Sequence, residues 1–112
     1  MKATQINQTN VIEKAVLFVN YYNMNIDDAV KKGIMLEELR NRMVSGELVK
    51  FKYMKVDGSI RCAIGTLHPD IVAANTKVNG TYRKPMGTFN YIDLESFGWR
   101  SFREERLVEI LN

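Results

Sequence analysis

The residues best suited to chemistry in this chain are cations set among aromatic rings. Arg100 and Arg103 interleave with Trp99 and Phe102 near the C-terminal end, and Lys52 and Arg61 flank an Asp57-Gly58 turn. Arg83 and Lys84, next to Tyr82, occupy a polar stretch between them. Ammonium and guanidinium groups meet phosphate, and ring faces stack on bases. The pattern predicts a surface for single-stranded nucleic acid or a nucleotide-like ligand. A plainer reading competes with it. Trp99 and Phe102 have opposite parity on a strand, so at least one belongs to the core, and outward Lys and Arg also protect sheet edges from pairing with other chains.

The same inventory argues against catalysis. His68 is the single histidine, so a two-histidine metal site is excluded, and in a Leu-His-Pro-Asp turn it reads as structural. Cys62 falls between Ile60 and Ile64, where a small buried apolar side chain is expected rather than a nucleophile. The carboxylate pairs Asp27-Asp28 and Glu104-Glu105 are adjacent in sequence and so diverge. The glycines are scattered and form no phosphate-cradling loop. No catalytic residue, metal or cofactor is expected.

A chain of 112 residues has room for one core. Its 46% hydrophobic and 26% charged residues suit an ordinary globular protein, and its net charge of +3 permits a polyanionic partner without requiring one. A lone cysteine, a polar start and the lack of a long apolar run suggest a cytoplasmic protein.

These groups must be positioned by two kinds of element. Residues 1–45 read as helical. Asn10 is the expected first cap, with Ile12, Ala15, Val16, Val19 and Tyr22 as the apolar stripe. Asn25 caps a second piece, with Asp27 and Asp28 in its first turn. Gly33 breaks or kinks it, and a third piece carrying Met35, Leu36, Leu39 and Met43 runs to about residue 44.

After Gly46 the period falls to two. Val49, Phe51 and Tyr53 alternate with Lys50, Lys52 and Met54. Asp57-Gly58 signals a two-residue hairpin, after which Ile60, Cys62 and Ile64 share one face and Arg61 and Ala63 the other. On that reading Lys52 and Arg61 share a surface. A short helix or turn follows His68-Pro69, and residues 75–86 form a polar loop. Strands are expected over 87–94 and 99–103, with a final strand or turn over 106–111. Helices followed by about five short strands make an α+β domain with a small curled sheet or barrel.

Two stretches carry a family resemblance. GELVKFKYMKVDGSIRCAIGTL, 46–67, and YIDLESFGWRSFREERLV, 91–108, resemble the small WYL-like family of Sm-like SH3 β-barrel fold, found in bacteria and phages. The shared features are the Lys-x-Asp-Gly-Ser hairpin ending in Gly65-Thr66-Leu67, the aromatic-Ile-Asp-Leu strand and Trp99-Arg100-Ser101-Phe102-Arg103. The resemblance covers about 46–110. It implies a five-stranded barrel and leaves 1–45 outside; that helical segment is expected to pack on the 46–112 barrel as one compact domain. It also implies kinship with WYL domains, whose barrels act as sensor or nucleic-acid-binding modules in bacterial regulators through aromatic and arginine side chains. By position it adds Tyr91 and Ser101 to Trp99, Arg100 and Arg103.

The helical part shows no basic recognition helix, so sequence-specific DNA binding is not expected. Together the readings give a nucleic-acid- or nucleotide-binding barrel, as a regulatory or accessory protein of a phage or mobile element. The candidate contacts are Lys52, Arg61, Arg83, Lys84, Tyr91, Trp99, Arg100, Ser101 and Arg103. The alternative is a protein-interaction module that oligomerises through edge strands or the N-terminal helices.

Overall fold

A computed structural model describes residues 6–76 and 87–112. Two helices precede a five-stranded antiparallel sheet: α1 Gln8–Tyr22, α2 Ile26–Val44, β1 Val49–Met54, β2 Ile60–Thr66, a short α3 Pro69–Ala74, β3 Thr88–Asp93, β4 Gly98–Arg103 and β5 Leu107–Ile110. The strand order is β4-β3-β2-β1-β5. A 3-10 turn, Glu104–Arg106, carries the chain from β4 at one edge to β5 at the other. This is the α+β architecture expected. No helix among the described residues is long and apolar enough to cross a membrane.

The helices form a hairpin. Asn7, not Asn10, caps α1, its side chain accepting from the Asn10 amide, and Asn23 closes the helix in the left-handed conformation. Asn25 caps α2 through the Asp27 amide, with Asp27 and Asp28 in the first turn as expected. Gly33 does not break α2, which is one continuous helix. An added Cβ at Gly33 would stand 3.1 Å from the Val11 carbonyl oxygen, so the glycine lets the two helices cross closely. That crossing selects the buried face of α1. Val11, Ala15 and Phe18 are covered, while Ile12, Val16 and Tyr22 of the expected stripe are exposed. α1 is apolar almost all round, so periodicity alone admits either stripe, and the contact at Gly33 decides between them.

The sheet wraps an aromatic core. Tyr53 stacks on Phe102 with ring centroids 4.7 Å apart, Phe89 stacks on Phe102 at 5.2 Å, and Phe51 meets Tyr91 edge-on at 5.1 Å. Leu36, Leu39 and Met43 of α2 belong to the same buried cluster. Gly65 makes room for Tyr91, because a Cβ there would lie 2.5 Å from the ring. Phe102 is therefore the core member of the Trp99/Phe102 pair, and Trp99 stays half-exposed.

The β1–β2 turn corrects the expected facing of β2. Lys55 pairs with Ser59 across the turn, the Gly58 amide donates to the Lys55 carbonyl, and Gly58 has φ +89°. The loop thus has three residues, Val56, Asp57 and Gly58, in the arrangement of a turn followed by a left-handed bulge residue. Asp57 accepts from both the amide and hydroxyl of Ser59 and stiffens it. One extra loop residue shifts the register by one and turns every β2 side chain over. Tyr53 faces Arg61, Phe51 faces Ala63 and Lys52 faces Cys62. Ala63 is buried, Cys62 is exposed, and Arg61 shares the inner face with the aromatic core. The buried Cys62 and the Lys52–Arg61 surface are both overturned by this register.

Candidate functional site

One end of the barrel is closed by a charged cluster rather than by apolar side chains. Phe89, Tyr91 and Asp93 alternate along the inner face of β3, so the strand delivers a carboxylate next to the aromatic core. Asp93 is fully buried. Its Oδ2 accepts from the Ser96 hydroxyl at 2.8 Å, the Ser96 amide at 3.2 Å and Arg100 Nε at 3.1 Å, and Arg61 Nη2 lies 3.6 Å away. Arg61 comes from β2 through the three-residue turn, and Arg100 from β4 on the same parity as Phe102. The Arg61 and Arg100 side chains are 23% and 44% exposed, so each runs between the buried carboxylate and solvent. Asp93 Oδ1 and Arg61 Nε have no partner among the described residues.

Electrostatics follow from that geometry. Burial alone would raise the Asp93 carboxyl, but the two donations from Ser96 and the charges of Arg61 and Arg100 outweigh it and hold the group below its usual range. The carboxylate stays ionised, and two cations share one anion. Beneath it Tyr91 is shut off from solvent, its hydroxyl 3.3 Å from that of Tyr53. Burial first, then this hydrogen bond, pushes the Tyr91 phenol upward, so it stays neutral. Tyr91 supports the cluster and offers no ring face to a ligand.

Exposed aromatic rings occur in and just after the β3–β4 turn. Trp99 is 43% exposed, and its Nε1 donates to the Asn75 carbonyl at 3.1 Å, which fixes the indole while leaving part of the ring free. Phe97, 69% exposed, sits in the β3–β4 turn with φ +54°. The paired arginines can meet an anion, and the exposed rings can stack on a flat heterocycle.

The nine candidate residues do not form one surface. Arg61 and Arg100 come together at Asp93, with Tyr91 under them, while Trp99, of opposite parity to Arg100 on β4, faces the other side of the sheet. Lys52 sits on the opposite face of the sheet, 3.5 Å from Glu109. Ser101 is exposed on β4 but has no part in the cluster. Arg103 is at the far end of β4, where Nε binds Glu105 at 2.9 Å and Nη2 donates to the Tyr22 hydroxyl at 2.7 Å. Arg83 and Lys84 lie outside the described residues.

Sequence reasoning missed Asp93, Ser96 and Phe97. A carboxylate in inward parity with Phe89 and Tyr91 was the available signal, since a buried charge requires a cationic partner. His68 has the structural role expected, capping α3 by accepting the Asp70 amide at Nδ1. No group of acidic, histidine or cysteine side chains among the described residues is arranged to hold a metal ion.

The family comparison agrees with this architecture. Residues 36–108 match the family described as WYL_2, Sm-like SH3 beta-barrel fold. The match begins inside α2, upstream of the resemblance read from the strands, and takes in Leu36, Leu39 and Met43, which pack on the barrel core. Neither the curated proteins nor the solved structures contain a significant match to the chain. The matched span covers most of the chain, with β1 to β4 whole and the start of β5, and the chain therefore belongs to the WYL_2 family of Sm-like SH3 β-barrel fold.

Proposed function

We propose that this protein binds single-stranded nucleic acid or a nucleotide-like ligand at the β3–β4 rim, as a binding module rather than a catalyst. The observation that carries the reading is the imbalance at Asp93: two partly exposed guanidinium groups converge on one buried carboxylate. Their solvent-facing N–H groups, chiefly those of Arg100, would bind phosphate oxygens, and the carboxylate holds both side chains in place beforehand. Trp99 and Phe97, exposed in and just after the same β3–β4 turn, would supply ring faces. Lys52 and Arg103, each already facing a carboxylate elsewhere, would contribute only to the general field. Such a module fits a regulatory or accessory protein of a phage or mobile element, a placement that its genomic neighbours would test.

The rim reading is tested by Trp99 fluorescence during titration with short single-stranded DNA, RNA and cyclic nucleotides at low salt. Quenching that weakens steeply with salt is expected. An unchanged spectrum together with unchanged electrophoretic mobility refutes it.

A second reading rests on a separate observation. Ile12 and Val16 of α1 and Ile26, Val30 and Ile34 of α2 are exposed on the helical hairpin. An apolar helical face of this kind fits assembly with another copy, alongside the two sheet edges β4 and β5. Light scattering over a wide concentration range tests it, and a strict monomer counts against it.

A further inference from the structure

A second site stands apart from the arginine rim. A cleft of about 340 Å³ opens between α1, α2, the start of β3 and the 3-10 turn that follows β4. Its distinguishing feature is Glu37. This side chain is only 4% exposed, it lines the cleft, and no hydrogen bond or ion pair within the described residues reaches its carboxylate. The body of the side chain is packed away, but its carboxylate oxygens are not sealed in and open onto the cleft, where a cation can reach them. The nearby charges do not supply the partner. Lys14 is engaged by Glu104, and Arg40 lines the cleft without pairing to Glu37. With Glu13, the cleft holds three carboxylates against two cations. Leu17, Leu36 and Phe89 give it an apolar wall.

We propose that this cleft binds a small aliphatic amine or guanidine, its cationic head on Glu37 and its alkyl chain along Phe89 and Leu17. The volume falls in the range of small-molecule sites, and a carboxylate opening onto the cleft beside an apolar wall discriminates for a cation carrying a short hydrocarbon. The site is independent of the rim. Phe89 and Asp93 lie at opposite ends of β3, so either site can fail alone.

The test is calorimetry and thermal melting of the full chain with 1,4-diaminobutane and with agmatine, using 1-butanol as the uncharged control. The two cationic probes separate an ammonium from a guanidinium preference, and binding of either supports the site. Glu37→Gln keeps the shape and removes the charge, and should weaken binding by about tenfold or more. The carboxylate carbon of Glu37, followed by NMR in the unaltered protein, should move with the cation and not with butanol, a readout that needs no variant. The proposal is overturned if neither cation binds, if Glu37→Gln binds them equally, or if the Glu37 carbon is unmoved. It is also overturned if a double-mutant cycle couples Glu37 to Arg83 or Lys84, which would place its partner within the chain.

Discussion

Replacing Asp93 by Asn isolates the charge at the centre of the rim. The amide preserves volume and can still accept from Ser96, but two guanidinium groups lose their counter-ion. Removing one partner of a buried pair costs about 3–5 kcal/mol. Here Arg100 is 44% exposed, so its share is screened by solvent, while Arg61, 23% exposed, keeps most of its penalty. The expected loss is therefore about 2–4 kcal/mol, or roughly 8–16 °C in Tm for a domain of this size.

The pH dependence fixes the origin of that loss. Asp93 is held below its ordinary value in the folded protein, so its contribution is present above the unfolded carboxylate value of about 3.9 and disappears as pH falls through the lower folded value. Wild type should lose this stability below about pH 4, and Asp93→Asn should lack that component of the acid limb. Urea melts of both proteins from neutral to acid pH measure it. A loss under about 1 kcal/mol at neutral pH, or an acid limb unchanged by the substitution, would refute the assignment of Asp93 as the ionised anchor of both arginines.

Three further substitutions probe other parts of the account. Gly65→Ala places a methyl group 2.5 Å from the Tyr91 ring and should cost about 1–3 kcal/mol by overpacking, read from a urea midpoint. Tyr91→Phe bears on the alkaline limb: burial and the Tyr53 bond raise the Tyr91 phenol, so its contribution is complete below the unfolded value of about 10 and is lost as pH rises above it. The variant should lose less stability between pH 10 and 12 than wild type, and an equal loss would count against a sealed Tyr91. Gly58→Ala meets no atom within 4 Å but demands φ +89° of a residue with a Cβ, so about 1–2 kcal/mol of destabilisation is expected from backbone strain alone.

Much of the fold could be read from local signals, because those signals act locally. The cap at Asn25, the alternation of Val49, Phe51 and Tyr53, and the His68-Pro69 helix start each depend on a few neighbouring residues. Where the reading failed, the deciding contact was remote or a single residue in size. Gly33 looked like a helix breaker because its reason, the approach of Val11, lies in another helix. Asp57-Gly58 was read as a two-residue loop, and the bulge at Gly58 inverted β2, exposing Cys62 and turning Arg61 inward. That one residue also explains why the site was legible only in part. Arg61 and Arg100 carry a legible chemical signal, but their meeting at Asp93 depends on the register of β1 with β2 and of β3 with β4. Lys52 and Arg103 carried the same chemical signal, and pairing geometry sent them elsewhere.

The most direct test of the central claim is the salt dependence of oligonucleotide binding in wild type and in the Arg61→Gln/Arg100→Gln double variant, followed through Trp99 fluorescence. If both guanidinium groups meet phosphate, the slope of log K against log salt should fall by about 0.7–1.4 in the variant, with weaker binding at every salt concentration. The lower figure applies if Asp93 retains one of the two charges. A variant that binds with the wild-type slope, or a wild type whose Trp99 does not respond, would contradict the rim as the binding surface.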